Sequence, residues 1–472
     1  MIPKKEKKVT VRFDQGTLLV DGPEEYISNI WRYLKNDPRT GSFRAQAYHY
    51  APIILELHYS KIPFSDMAKG FSPLELSLKN PLEPLPHQSD ALKQWTDAQG
   101  RGTVVMPTGA GKTYFAVMAI NAVKRPALII VPTIDLMMQW ASVLEKFFGI
   151  KCGMLGGGSK EILDITVSTY DSAVLNMEFI GNRFGIVVFD ECHHLPGPVN
   201  RLAGSMCLAP YRLALTATPE REDEGEKLIH ELVGPIVYEA HIDQLEGHVL
   251  APYRTVRLML ELEENERKEY ESNRRIYTEF LRANGIYFTS KNDWNRFLAL
   301  CARNPGGRRV FEAFMKQKRI ARGGRSKFLK VWELINKHKD ERILIFTAEN
   351  DMAYELGGRF FLPVITHRTK AAERKEMLDC FRSGEYPVLL TSKVLNEGVD
   401  VPEASIGIVV SGSASIREHV QRLGRILRAV NGKEAILYEL ISEGTSEVSV
   451  SRRRTEHRAY KNNWSKRFYR KK

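Results

Sequence analysis

The sequence predicts an α/β fold: two doubly wound parallel-sheet units, a helical insertion between them and a small β-rich segment in front. Three observations carry this. Residues 81–240 alternate short apolar strands (GTVVMP, ALIIVP, DITVST, GIVVFDE, LALTATP) with helical runs, which is the βαβ pattern of a parallel sheet. Residues 342–442 repeat the pattern with RILIFTAE, PVLLTS, IGIVVSG and AILYELI. Between them, residues 263–321 are charged and helical, with no β runs.

The first segment, residues 1–80, holds the strand-like runs TLLVDG, SFRAQAYHY and IILELHY and a helical run near Glu24–Leu34. Alternation at Val9, Val11 and Phe13 marks its first strand. The proline-rich stretch NPLEPLPHQ closes it as a linker. The expected domains are therefore 1–80, 81–262, 263–321, 322–445 and a basic tail, 446–472.

A chain of 472 residues is long enough for several cores. No run of 18 apolar residues occurs, so no membrane span is expected. The N-terminus is basic but has no apolar core of a secretory signal. Five scattered cysteines with no CxxC pair speak against a disulfide framework or zinc ribbon and fit a reducing, cytoplasmic compartment. Of the net charge of +12, nine units sit between Ser451 and Lys472. Tyr460, Trp464, Phe468 and Tyr469 are interleaved there, a mix suited to phosphate contact and base stacking and equally to a solvated tail.

The strand GTVVM runs into Pro107-Thr108-Gly109-Ala110-Gly111-Lys112-Thr113 and then a helical run. Strand, glycine-rich turn and helix N-terminus form an anion cradle of backbone N–H groups. Lys112 is placed to reach the outer phosphates and the Thr113 hydroxyl to ligate Mg²⁺. The first position of the usual phosphate-loop pattern is Met106 rather than glycine.

Such a loop needs a second-strand carboxylate for the metal and a group to orient the attacking water. FGIVVFDECHH supplies both: Asp190 for Mg²⁺ and Glu191 as the water-polarising base. Five consecutive side chains, Asp190 to His194, cannot wrap one tetrahedral ion. Cys192 is read as packing, His193 as a coupling residue toward Thr216–Thr218 or the second unit, and His194 has no assigned task.

PTGAGKT, DECH, Thr216-Ala217-Thr218 and Gln421–Arg428 (QRLGRILR), in this order, resemble a superfamily 2 helicase with two RecA-like domains. Arg221-Glu222-Asp223 after TATPE resembles the RED motif of the xeroderma pigmentosum group B (XPB) type, in its short archaeal form. The helical stretch 263–321 resembles its thumb and residues 1–80 its damage-recognition domain.

The resemblance implies roles residue by residue. Gln88 matches the adenine-reading glutamine, and Thr133 and Thr169 lie in loops that grip the nucleic-acid backbone. Arg368 and Thr369 lie in the corresponding loop of the second domain. Asp400 falls near the ribose, Gln421 with Thr216 and Thr218 in coupling, and Arg425 and Arg428 match the arginine fingers. Arg221, Glu222 and Asp223 imply a DNA-engaging role. ATP and Mg²⁺ are the implied cofactors, and double-stranded or forked DNA with a nuclease partner the implied partners. The implied activity is a 3′-to-5′ ATP-dependent DNA helicase or translocase in nucleotide excision repair. Two alternatives stay open: a nucleotide-switched DNA-binding scaffold that recruits a nuclease, and a helicase directed at RNA.

Overall fold

The computed structural model describes residues 8–217, 225–240, 242–245, 253–288, 291–392, 404–411 and 435–455. The chain divides into two compact units, 1–244 and 245–472. No helix among the described residues is long and apolar enough to cross a membrane.

The first unit opens with strands β1 (Val9–Asp14), β2 (Thr17–Asp21), β3 (Lys35–Asp37), β4 (Ser42–Gln46) and β5 (Phe64–Met67), in the order β3-β4-β2-β1-β5. The run IILELHY is not a strand: it lies in the helix Tyr50–Tyr59. Tyr50, Ile53 and Leu57 are its buried residues, a helical spacing of 3 and 4, and Pro52 sits in the first turn, where a missing N–H costs nothing. The β-branched pair Ile53-Ile54 gives the misleading strand signal. The run Glu24–Leu34 is two short pieces, an α-turn Glu24–Ile27 and a 3₁₀ segment Ser28–Tyr33.

This small sheet is fixed to the next layer by specific bonds. The Tyr48 hydroxyl donates to Glu231 at 2.6 Å, and Asn182 Nδ2 donates to the Ala68 carbonyl at 2.9 Å.

The larger sheet of the first unit comprises β6 (Arg101–Val105), β7 (Ala127–Val131), β8 (Gly153–Gly156), β9 (Ser159–Lys160), β10 (Ile165–Thr169), β11 (Ile186–Phe189), β12 (Tyr211–Thr216) and β13 (Ile236–Glu239). Its order is β13-β6-β12-β11-β7-β10-β8-β9, all parallel except the β8–β9 hairpin. β7, β10 and β11 are buried at every position, as expected of strands covered on both faces. The stretch read as a linker ends at a helix, Pro86–Asp97, with proline in its first turn.

The second unit holds an all-parallel sheet of β14 (Tyr253–Leu260), β15 (Ile343–Phe346), β16 (Val364–Ile365), β17 (Val388–Thr391), β18 (Ile406–Val409) and β19 (Ala435–Ser442), ordered β14-β19-β18-β15-β17-β16. Residues 253–260, placed by the sequence reading within 81–262, pair with β19 over all eight residues. Sheet membership depends on a partner almost two hundred residues away, and nothing local encodes it.

Three helices, Glu264–Ala283, Lys291–Arg303 and Gly307–Gly323, follow β14. They close around Phe297, Ile286 and Val310, with Tyr277, Trp294 and Phe314 against Phe297. Several of their surface charges pair with one another, as in Lys316–Glu269 and Lys268–Glu264.

The expected tail begins as a packed helix, Ser446–Thr455. Glu447 explains why. Its carboxylate lies 2.5 Å from the fully buried Lys327 ammonium and accepts the Ser442 N–H at 3.1 Å. Lys327 also donates to the Val410 carbonyl at 2.8 Å. Replacing Glu447 by alanine leaves an ammonium inside the core and should cost the second unit about 3–5 kcal/mol. Lys327→Met with Glu447→Leu should recover most of that loss, measured by denaturant unfolding.

Candidate active site

The site is built at the C-terminal ends of β6, β12 and β11, with β12 lying between the other two. Ligands of open α/β sheets bind in the crevice beyond these ends. β6 leads into the loop 106–111, and the helix Lys112–Val123 starts at once. Gly109 and Gly111 hold φ of 89° and 81°, the left-handed region where a side chain would be strained. Glycine-rich turns of this kind, leading into a helix N-terminus, offer backbone N–H groups to anions.

The loop is braced from three sides. Met106 N–H donates to the Thr216 carbonyl at 3.0 Å, tying β6 to the end of β12. His87 Nε2 lies 2.8 Å from the Ala110 carbonyl, and Gln88 Nε2 donates to the Gly111 carbonyl at 3.1 Å. A Cβ added to Gly111 would stand 2.3 Å from Gln88 Nε2, so a side chain there would displace the Gln88 amide from the loop as well as strain the backbone. Gln88, expected to read adenine, is 2% exposed, and its Oε1 accepts the Leu85 N–H at 3.0 Å. Both ends of its amide therefore hold the phosphate loop and the start of its own helix. Lys112 Nζ donates to the Met106 carbonyl at 3.0 Å, folding the ammonium back across the loop. Pro107, Thr108, Ala110 and Thr113 lie in the same turn and first helical residues.

Asp190 follows β11 and is buried. Its Oδ2 accepts the Trp140 indole N–H at 2.8 Å and its Oδ1 the Glu191 N–H at 2.9 Å. Burial raises its carboxyl above the usual range, opposed first by the positive charge of Lys112 and then by these two hydrogen bonds. A desolvated carboxylate acted on by the Lys112 charge is a hard oxygen ligand of the kind that suits Mg²⁺, so Asp190, with the hydroxyl of Thr113 from the first helical residues after the loop, has the chemistry to hold the metal.

Glu191 takes φ 46°, ψ 52°. A non-glycine residue in this region carries strain of order 1–3 kcal/mol and is concentrated at functional sites. The turn points Glu191 away from the path of β11, and the His193 ring, 2% exposed, lies with Nδ1 3.4 Å from its Oε2. His194 stacks loosely on His193, and its carbonyl accepts Asn200 Nδ2 at 3.0 Å.

Thr133 and Thr169 begin helices Ile134–Phe148 and Tyr170–Ile180. Each hydroxyl caps its helix, Thr133 accepting Leu136 N–H at 3.2 Å and Thr169 accepting Ser172 N–H at 3.4 Å. β7 and β10 are neighbours, so both helix N-termini open at one end of the sheet, and such ends attract phosphate. In the second unit Thr369 Oγ1 accepts Thr366 N–H at 3.0 Å, and Arg368 N–H donates to Thr366 Oγ1 at 3.2 Å. This tight turn after β16 leaves the Arg368 side chain exposed.

Sequence reasoning missed His87 and Trp140. Trp140 lies seven residues beyond Thr133 in VPTIDLMMQW, and the large polar-tipped aromatic in an otherwise apolar helical face was its only trace. Thr218, Arg221, Glu222, Asp223, Asp400, Gln421, Arg425 and Arg428 lie outside the described residues.

A phosphate loop, a DE strand separated from it by one strand, and a second parallel α/β sheet in the same chain define a RecA-like helicase-type ATPase. Solved structures with this fold include the Hef helicase domain of Pyrococcus furiosus, at 18% identity and TM-score 0.51 over 78% of this chain and 97% of that one. Dbp5 of Saccharomyces cerevisiae bound to RNA and ADP BeF3 shares it at 16% identity and TM-score 0.56, over 80% of this chain and 88% of that one.

Residues 81–221 match the family "Type III restriction enzyme, res subunit", 326–430 the helicase conserved C-terminal domain and 11–68 the xeroderma pigmentosum group B helicase damage recognition domain. The chain is 38% identical over 448 residues to the DNA 3′-5′ translocase XPB2 of Sulfurisphaera tokodaii, covering 95% of this chain and all of that one. It is 31% identical to the DNA 3′-5′ helicase XPB of Mycobacterium tuberculosis, over 76% of this chain and 60% of that one. The chain belongs to the XPB family of ATP-dependent DNA helicases and translocases.

The bracing role of Gln88 makes a specific prediction. Gln88→Ala should weaken binding of ATP and of inorganic tripolyphosphate alike, by about tenfold, the effect of one buried hydrogen bond worth ~1–2 kcal/mol. Competition titrations against a fluorescent nucleotide would read it, and a loss confined to ATP would instead support the adenine-reading role.

Proposed function

We propose that this chain is an ATP-driven DNA translocase that opens or remodels forked DNA in nucleotide excision repair, moving 3′ to 5′ as its relatives are named. The observation that carries the reading is the pairing of the glycine-rich loop 106–111 with a buried Asp190 and a strained Glu191 across a single intervening strand. The backbone N–H groups of the loop and Lys112 bind the phosphates. Thr113 and Asp190 would hold Mg²⁺, which would supply positive charge to the outer phosphates. Glu191 takes a proton from the attacking water, and His193 holds its carboxylate in place.

Arg425 and Arg428 are assigned the developing charge on the transferred phosphoryl group, with Gln421, Thr216 and Thr218 relaying the state of the nucleotide. Asp400 is assigned to the ribose. Thr133 and Thr169 on the first unit, and Arg368 and Thr369 on the second, are assigned as two backbone grips on DNA. Arg221, Glu222 and Asp223 are assigned to the point where strands part. Alternate closing and opening of the units with each ATP then moves one grip relative to the other. Incision is assigned to a separate nuclease partner, and the protein's compartment to the cytoplasm around DNA.

Glu191→Gln should keep nucleotide binding and lower DNA-stimulated turnover by roughly 10²–10⁴-fold, the range of a positioned general base. Arg425→Ala should lower turnover by about 10³-fold or more with nucleotide affinity little changed. Displacement of streptavidin from biotinylated DNA should occur with ATP in the native protein. DNA-stimulated hydrolysis without displacement would favour the switched scaffold, and equal stimulation by RNA of the same length would redirect the substrate.

A further inference from the structure

The helix Ile134–Phe148 touches both halves of the proposed machine. Its first turn, capped by Thr133, is one of the proposed DNA grips. Seven residues on, about 10 Å along the axis, Trp140 is 1% exposed and donates its indole N–H to Asp190 Oδ2 at 2.8 Å. The indole is a donor only, so it fixes one carboxylate oxygen and leaves that oxygen's remaining lone pair to point elsewhere. The other oxygen is held by the Glu191 N–H.

Two further links run from the same loops. The Asp190 N–H donates to the Ile130 carbonyl at 2.9 Å, on the strand that leads into Thr133. The Tyr170 hydroxyl, next in sequence to Thr169, lies 3.3 Å from the Asp190 carbonyl oxygen. Both proposed grips of the first unit are thus one residue or one rigid helix away from Asp190. A buried indole N–H requires some acceptor, but packing alone does not require the carboxylate proposed to ligate the metal to be that acceptor. Groups that orient a metal ligand change metal affinity by about 10–100-fold when removed.

We propose that Trp140 is a positioning residue that orients the Asp190 carboxylate toward Mg²⁺ and, through its helix, makes metal affinity respond to DNA held at Thr133. This rests on the assignment of Asp190 to the metal made above. DNA at the helix N-terminus shifts the helix along or about its axis, the indole moves with it, and the carboxylate follows. Metal-nucleotide binding is thereby tightened when DNA is in place, before any hydrolysis.

The test is a titration of Mn²⁺, followed by electron paramagnetic resonance, into the full chain saturated with ADP, with and without forked DNA. Trp140→Phe keeps most of the ring volume and removes the donor. The expected result is Mn²⁺ binding weakened about tenfold or more, ADP affinity in EDTA unchanged, and loss of the DNA-induced tightening seen in the native protein. Asp190→Asn is measured beside it. If Asp190→Asn weakens Mn²⁺ binding and Trp140→Phe does not, the positioning role is overturned while the metal assignment stands. If Asp190→Asn binds Mn²⁺ as the native chain does, the metal assignment fails and the inference with it. Should Trp140→Phe not fold, the native chain labelled with 5-fluorotryptophan decides: one of its six indole ¹⁹F resonances should broaden with Mn²⁺·ADP, and no broadening would overturn the proposal.

Discussion

A carboxylate at the end of a fully buried strand is costly to keep charged, and the first unit is organised around that cost at Asp190. Desolvation pushes its carboxyl up. The Lys112 charge, the Trp140 indole and the Glu191 N–H offset it. Each of these comes from a different element: the helix after the phosphate loop, the helix after β7 and the turn after β11. A carboxylate held so, short of positive charge and fixed in orientation, would be stabilised further by a divalent cation.

The phosphate loop is held by the same economy of polar groups. Backbone groups inside a site need partners, and here the carbonyls of Ala110 and Gly111 find theirs in His87 and Gln88, while Met106 N–H finds Thr216. These bonds tie the carbonyl side of the loop to the helix Pro86–Asp97. The two left-handed glycines let the loop turn sharply between β6 and its helix, and the Met106–Thr216 bond ties that turn to the end of β12.

The small N-terminal sheet is not loosely tethered to this core. Tyr48 holds Glu231 on the helix Glu226–Leu232, and Gly16 sits so close to Met206 that a Cβ would lie 2.5 Å from that side chain's Cε. Met206 follows the helix Arg201–Ser205, and that helix follows the Asp190–His194 turn. The segment matched to the damage recognition domain thus packs against the stretch of chain that follows the Asp190–His194 turn.

The sequence by itself determined the order and type of most of the sheet strands, because parallel strands covered on both faces read as short apolar runs between turn residues. It also placed the glycine-rich turn between β6 and its helix and the acidic pair at the end of β11, because each is a run of contiguous residues. It misread IILELHY, where β-branched residues outweighed a buried face spaced at 3 and 4. It left β14 in the wrong half and took Ser446–Thr455 for tail, because the partners that hold them, β19 and Lys327, are distant in the chain. Only the tertiary structure decided where Gln88 spends its amide, that Glu191 sits in a left-handed turn, and that Trp140 ends on Asp190. Fifty residues separate that indole from its carboxylate, and a hydrogen bond across such a gap exists only once the sheet has brought β7 beside β11.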